Sequence, residues 1–187
     1  MAWATRRLPA PPYRAAGSPW RDLRDTAAAP EPLLLAVIFA VYALQTLAVM
    51  GFLPTILVEH EHLTPLAAGE LAALAVAMNS VGNLLGGLVL KRGIARSWLV
   101  LLGAAAMGLC GLGIFLGALP LAQTYALYLL FSGFGGIIPA AVLGAAPAAA
   151  PAPRLVPATN GLLVQGSNLG QVVGPPAVGA LAAATGD

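Results

Sequence analysis

Five apolar runs dominate this chain, over residues 33–58, 66–90, 97–119, 121–146 and 158–184. Each is longer than the roughly 18 residues that let a helix cross a bilayer core about 30 Å thick. The pattern predicts an all-α membrane protein with five transmembrane helices. Short polar or proline-bearing segments separate the runs. Thr64, followed by Pro65 and then Glu70, predicts a helix start with Thr64 as the cap and Pro65 in the first turn. Prolines at 147, 151, 153 and 157 predict a stiff, extended connection between the fourth and fifth runs.

The runs differ in where their few polar residues fall. At about 100° per residue, Tyr42, Gln45 and Thr46 share one face of the first helix. Asn79 and Asn83 share a face with Gly82 and Gly86 on the second. On the fourth, Tyr125, Tyr128 and Ser132 align above Pro139, and on the fifth Gln165, Asn168 and Gln171 form a stripe. Between Trp98 and Leu119 the third run is apolar or glycine apart from Cys110. Polar side chains are costly in hydrocarbon, so four helices are expected to turn a polar face inward and the third to face lipid. Glycine adds a second pattern. Gly82 with Gly86, Gly113 with Gly117, and the ladder Gly166, Gly170, Gly174 have the spacing that brings helix backbones close. The ladder lies on a different face of the fifth helix from the polar stripe.

Charge sets the orientation. The nine Lys and Arg residues all fall on one side of an alternating five-span path. Arg6, Arg7, Arg14, Arg21 and Arg24 precede the first run, Lys91, Arg92 and Arg96 follow the second, and Arg154 follows the fourth. By the positive-inside rule this side is cytoplasmic, which predicts a multi-pass cell-membrane protein with its N-terminus inside. Charged residues are 9% of the chain, against about 25% in soluble domains. The net charge of +2 is therefore read as contact with membrane lipid rather than with nucleic acid. Residues 1–30, rich in Pro, Ala and Arg, are read as a disordered basic cytoplasmic segment, and residues 31–187 as the membrane domain.

Candidate chemistry is sparse. No acid–base pair, activated nucleophile or phosphate-cradling glycine loop is visible, so an enzyme is not expected, and neither is a cofactor. Glu70 has two readings, a first-turn carboxylate favoured by the helix N-terminus or a carboxylate that couples solute movement to protons. His60 and His62 alternate with Glu59 and Glu61. That spacing splits ligands across a helix, so the loop is read as solvated and no metal is expected. Cys110 is read as inert.

Two stretches carry a family resemblance. Residues 86–96, with Gly86, Leu90, Lys91, Arg92, Gly93 and Arg96, resemble the loop between the second and third helices of a half in the major facilitator superfamily. Leu90 stands where that pattern normally has Asp. The stretch from Asn160 through Gln165, Gly166, Asn168, Gly170 and Gly174 to Pro175 and Pro176 resembles the fifth helix of a half, and most of all the eleventh helix of these transporters. The resemblance covers about residues 31–187 and fits a C-terminal half without its last helix. It implies a partial major-facilitator-type bundle, present as an incomplete chain, in a secondary active transporter that moves a small solute by alternating access. A nonfunctional or regulatory membrane fragment of the same fold is the alternative. Folds of this kind bind substrate near the midplane. The expected solute path is Tyr42, Gln45, Asn79, Asn83, Tyr128, Ser132, Gln165 and Asn168. Gly82, Gly86, Gly166, Gly170, Gly174 and Pro175 are assigned to helix packing or gating. Lys91, Arg92 and Arg96 mark the cytoplasmic loop, and the partners expected are lipid, a small solute and the missing half.

Overall fold

The order of elements follows from local chemistry at each helix end. Thr64 is extended and its side chain accepts a hydrogen bond from the Ala67 amide at 3.3 Å, opening α4 (Pro65–Lys91). Pro30 sits in the first turn of α2 (Pro30–Met50), where its missing N–H costs nothing. Gly117, at φ 63°, follows α5 (Arg96–Phe115) in a conformation that glycine adopts without strain. The computed structural model describes residues 18–185, which also form α1 (Pro19–Ala27), α3 (Leu53–Glu59), α6 (Leu121–Ala149), a 3-10 turn (Pro153–Leu155) and α7 (Val156–Thr185). No strand occurs among the described residues.

Among the described residues, four helical stretches are long and apolar enough to cross a membrane: Pro30–Glu59, Pro65–Lys91, Arg96–Phe115 and Leu121–Ala149. The fold is therefore all-α with four apolar spans of that kind, one fewer than the five expected. The difference lies in α7. It has the length, at 30 residues, but Asn160, Gln165, Asn168 and Gln171 dilute its apolar character. Three expectations are corrected. Part of the N-terminal segment read as disordered is the helix α1, while residues 1–17 lie outside the described residues. The first run is not one helix: it breaks at Gly51–Phe52 into α2 and α3. The proline-rich connection is short, because α6 continues through Pro147 and α7 begins one residue before Pro157. A proline removes one helical hydrogen bond, and packed neighbours carry a membrane-type helix across that gap.

Close backbone approach fixes the packing. A methyl group built at Gly82 would fall on the Gly133 carbonyl oxygen, and one at Gly86 would lie 3.1 Å from Ile137 Cα. The two contacts keep one offset, so α4 and α6 run parallel. In the same way a methyl built at Gly166 would fall on the Ala36 carbonyl, one at Gly170 on that of Ala40, and one at Gly174 would lie 2.9 Å from that of Leu44, so α7 runs parallel to α2. α5 packs on α6 in the opposite sense, since Gly103 meets Phe134 and Ile138 while Gly113 meets Leu127. Gly113 and Gly117 do not form a backbone contact: Gly113 faces only the flexible Leu127 side chain, and Gly117 lies beyond the helix with open space around it.

α5 has α6 as its main neighbour and stands at the edge of the bundle. Leu99, Gly103, Met107, Cys110 and Ile114 form its buried stripe, while Leu101, Leu102, Leu109, Leu112 and Phe115 are exposed. The helix directions place the start of α2, the end of α4, the start of α5 and the α6–α7 connection at one end. Every described basic residue, Arg21, Arg24, Lys91, Arg92, Arg96 and Arg154, lies at this end. Glu59, Glu61 and Glu70 lie toward the other.

Candidate functional site: a polar cavity between four helices

The pair α2–α7 meets the trio α4–α5–α6 along a narrower contact, and a cavity of about 320 Å³ opens there. Its walls are Tyr42, Ala43, Thr46, Leu47 and Met50 from α2, Val76, Asn79 and Ser80 from α4, Ser132 from α6, and Ser167 and Gln171 from α7. Among the described residues, no charged side chain lines it.

Asn79 organises the centre. Its Nδ2 donates to the Tyr42 hydroxyl at 2.9 Å and to the Ser132 carbonyl at 3.2 Å, joining α4 to α2 and α6. The register that makes this possible comes from the glycines, because Gly136 on α6 lies directly against the Asn79 carbonyl. On α7 the Gln171 Nε2 donates to the Ser167 hydroxyl at 3.3 Å, one helical turn away. The Thr46 hydroxyl oxygen is buried, close to the Tyr42 hydroxyl.

The sequence-predicted path residues divide into three groups. Tyr42, Asn79 and Ser132 come together at the cavity. Asn83, Gln165 and Asn168 are exposed and lie beside it without lining it. On α7 the helical order runs from the glycine ladder to Ser167 and Gln171, then on to Asn168 and Gln165, so the polar stripe leads out of the cavity onto an open face. Gln45 and Tyr128 lie elsewhere. Gln45 Nε2 reaches the Met107 sulfur at 3.4 Å, toward α5. Tyr128 is buried near Leu53 and Leu57 at the other end of α6. Tyr125 donates to the Leu71 carbonyl at 2.8 Å, a bond between helices.

Thr46, Ser80, Ser167 and Gln171 line the cavity but were not assigned to the path. Thr46 and Gln171 already stood on the polar faces of their helices, so that signal was present. Ser80 and Ser167 lie outside the polar stripes named on their helices, so the wheel gave no signal for either. Glu70 is exposed near the end of the bundle away from the basic residues and takes no part in the cavity wall. Lys91, Arg92 and Arg96 are exposed on the α4–α5 connection. Pro175 lies inside α7, next to Gly174 at the last rung of the ladder. No protein-family model, no curated protein and no solved structure matches this chain.

Proposed function

We propose that this chain is the membrane-spanning unit of a secondary transporter that carries a small uncharged solute by alternating access. The observation that carries the reading is the cavity wall: hydroxyls and amides from four helices set among apolar side chains, with no ionised group among the described residues. Its volume lies at the lower end of the range for small-molecule sites, about 300–1,000 Å³. An uncharged solute fits because a bare carboxylate or ammonium would find no opposite charge there. In this reading α7 is a fifth span despite its polar stripe, the basic end is cytoplasmic, and the chain sits in the cell membrane. The resemblance to a major-facilitator half supports a second bundle as the cover for the open face bearing Ser80, Asn83, Gln165 and Asn168. Such polar groups in contact with acyl chains would be costly.

The test uses single cysteines in a Cys110→Ser background, in native membranes, with a charged thiol reagent. Ser80→Cys, Asn83→Cys, Gln165→Cys and Asn168→Cys should react, because a solute path is wet. Leu109→Cys and Leu112→Cys on the outer face of α5 should not. Equal inertness at all six positions would overturn the reading and leave the polar stripes as contacts between helices, as in a fragment without transport activity.

A further inference from the structure

We infer that α1 is a membrane-surface helix whose outward face binds anionic phospholipid headgroups at the basic end of the bundle. The inference rests on the chain lying in a membrane, not on solute transport.

The helix is nine residues long and its charges are sorted by side. Thr26 is fully buried, and its hydroxyl donates to the Asp22 carbonyl at 2.7 Å. Asp22 lies on the same flank and is paired with Arg154, the basic residue of the α6–α7 connection. Asp25, at the edge, lies 3.7 Å from the same guanidinium. Asp22 is therefore turned toward the bundle, while Asp25 stays about half exposed and shares the same counter-charge.

The sector facing away from the bundle carries charge of one sign, with Asp25 at its edge. At about 100° per residue, the sector opposite Thr26 and Asp22 is centred on Arg24 and holds Trp20 and Arg21. Trp20 is 79% exposed and Leu23, on the flank, 40%. Arg21 and Arg24 are exposed and form no salt bridge among the described residues. A short helix with arginines beside an outward tryptophan has the composition of an interfacial helix. Tryptophan favours the headgroup level, where its ring is half in water, and arginine pairs with phosphate in a planar fork. A second marker agrees on depth: Trp98, 59% exposed, sits at the start of α5 at the same end, beside Arg96. Lys91 and Arg92 add to the charge at that level. Asp22 and Asp25 share the single Arg154 counter-charge, and the six described basic side chains at this end outnumber its three acids, Asp22, Asp25 and Glu31. The charge left free on the outward sector is cationic, and the surface that complements it is an anionic leaflet.

The experiment reconstitutes the full chain, with Trp3→Phe and Trp98→Phe, into liposomes of phosphatidylcholine and phosphatidylglycerol. Bromine is placed on the acyl chains of one lipid or the other, and quenching of Trp20 is read. Brominated phosphatidylglycerol should quench well beyond its mole fraction. Each arginine near an anionic surface favours it by about fivefold, so Arg21→Gln with Arg24→Gln should remove up to roughly 30-fold of lipid preference. Arg21→Lys with Arg24→Lys should keep most of it, which separates charge from folding. Equal quenching by both lipids in the parent chain would overturn the inference, as would a Trp20 that only acrylamide reaches from water. A second chain with Trp98 alone reports whether the bundle is in the bilayer, so loss of the α1 contact is distinguishable from failure of membrane insertion.

Discussion

Replacing Gly170 by alanine tests the central packing claim, that α2 and α7 are held at backbone distance. The added methyl would fall on the Ala40 carbonyl oxygen, with the Ala40 carbonyl carbon at 2.8 Å and the Leu44 nitrogen at 3.0 Å. All three are backbone atoms, so no side-chain rotation relieves the clash. The helices must part, and that also loosens Gly166 on Ala36 and Gly174 on Leu44. Forcing a methyl group into a packed site costs about 1–3 kcal/mol, and a clash with backbone belongs at the upper end. Alanine returns about 1 kcal/mol of helix propensity. The net expected loss is ~2 kcal/mol, the difference of those two terms. Gly108→Ala on α5 is the control, since a methyl there meets nothing within 4 Å. It keeps the propensity gain alone, so the two variants should differ by about 3 kcal/mol. Unfolding by sodium dodecyl sulfate in mixed micelles, followed by circular dichroism, measures both. A Gly170→Ala chain as stable as Gly108→Ala would refute the claim of close approach.

Three other outcomes are expected. A double-mutant cycle of Tyr42→Phe and Asn79→Ala, in the same unfolding assay, should give a coupling of about 0.6 kcal/mol, the usual worth of one hydrogen bond between membrane helices; zero coupling would mean that the 2.9 Å bond does not contribute. Cys110, buried against α6, should resist maleimide in mild detergent and react once the chain is unfolded; rapid labelling of the folded protein would place α5 wrongly. With Cys110→Ser, an impermeant thiol reagent applied outside cells should label His62→Cys and not Arg96→Cys, and the reverse result would invert the orientation.

Much of the helical plan was legible because its causes are local. Thr64 caps α4 through a bond to the backbone three residues on, and the ladder at Gly166, Gly170 and Gly174 reads directly as a flat face. The cavity was legible only in part. Tyr42, Asn79 and Ser132 stand out as polar groups in apolar runs, yet a wheel gives a direction around one helix and not which neighbour fills it. Gln45 shares a face with Tyr42 but meets Met107, because α5 covers that side. α1 was invisible for a different reason. Nine residues of low apolar content do not hold a helix alone. Its anchor, Arg154, is far away in sequence and becomes a neighbour only after the bundle forms. Pro147 misled because a proline predicts a helix end from its own chemistry, whereas α6 continues to Ala149 within a packed neighbourhood.

The two glycine-locked pairings also bear on how the molecule could change shape. Along α2–α7 and α4–α6, backbone rests on backbone, so sliding either pair would drive carbonyl oxygens into alpha carbons. These pairs should move as stiff units. Between them lie side chains instead, Tyr42, Thr46, Asn79 and Gln171, whose rotamers can change without moving a helix axis. Compliance is thus concentrated at the wall of the cavity. A rocking of one unit against the other would alter the cavity's width and leave both ladders intact, so substitutions at the glycines should be felt as stability and substitutions at the seam as shape.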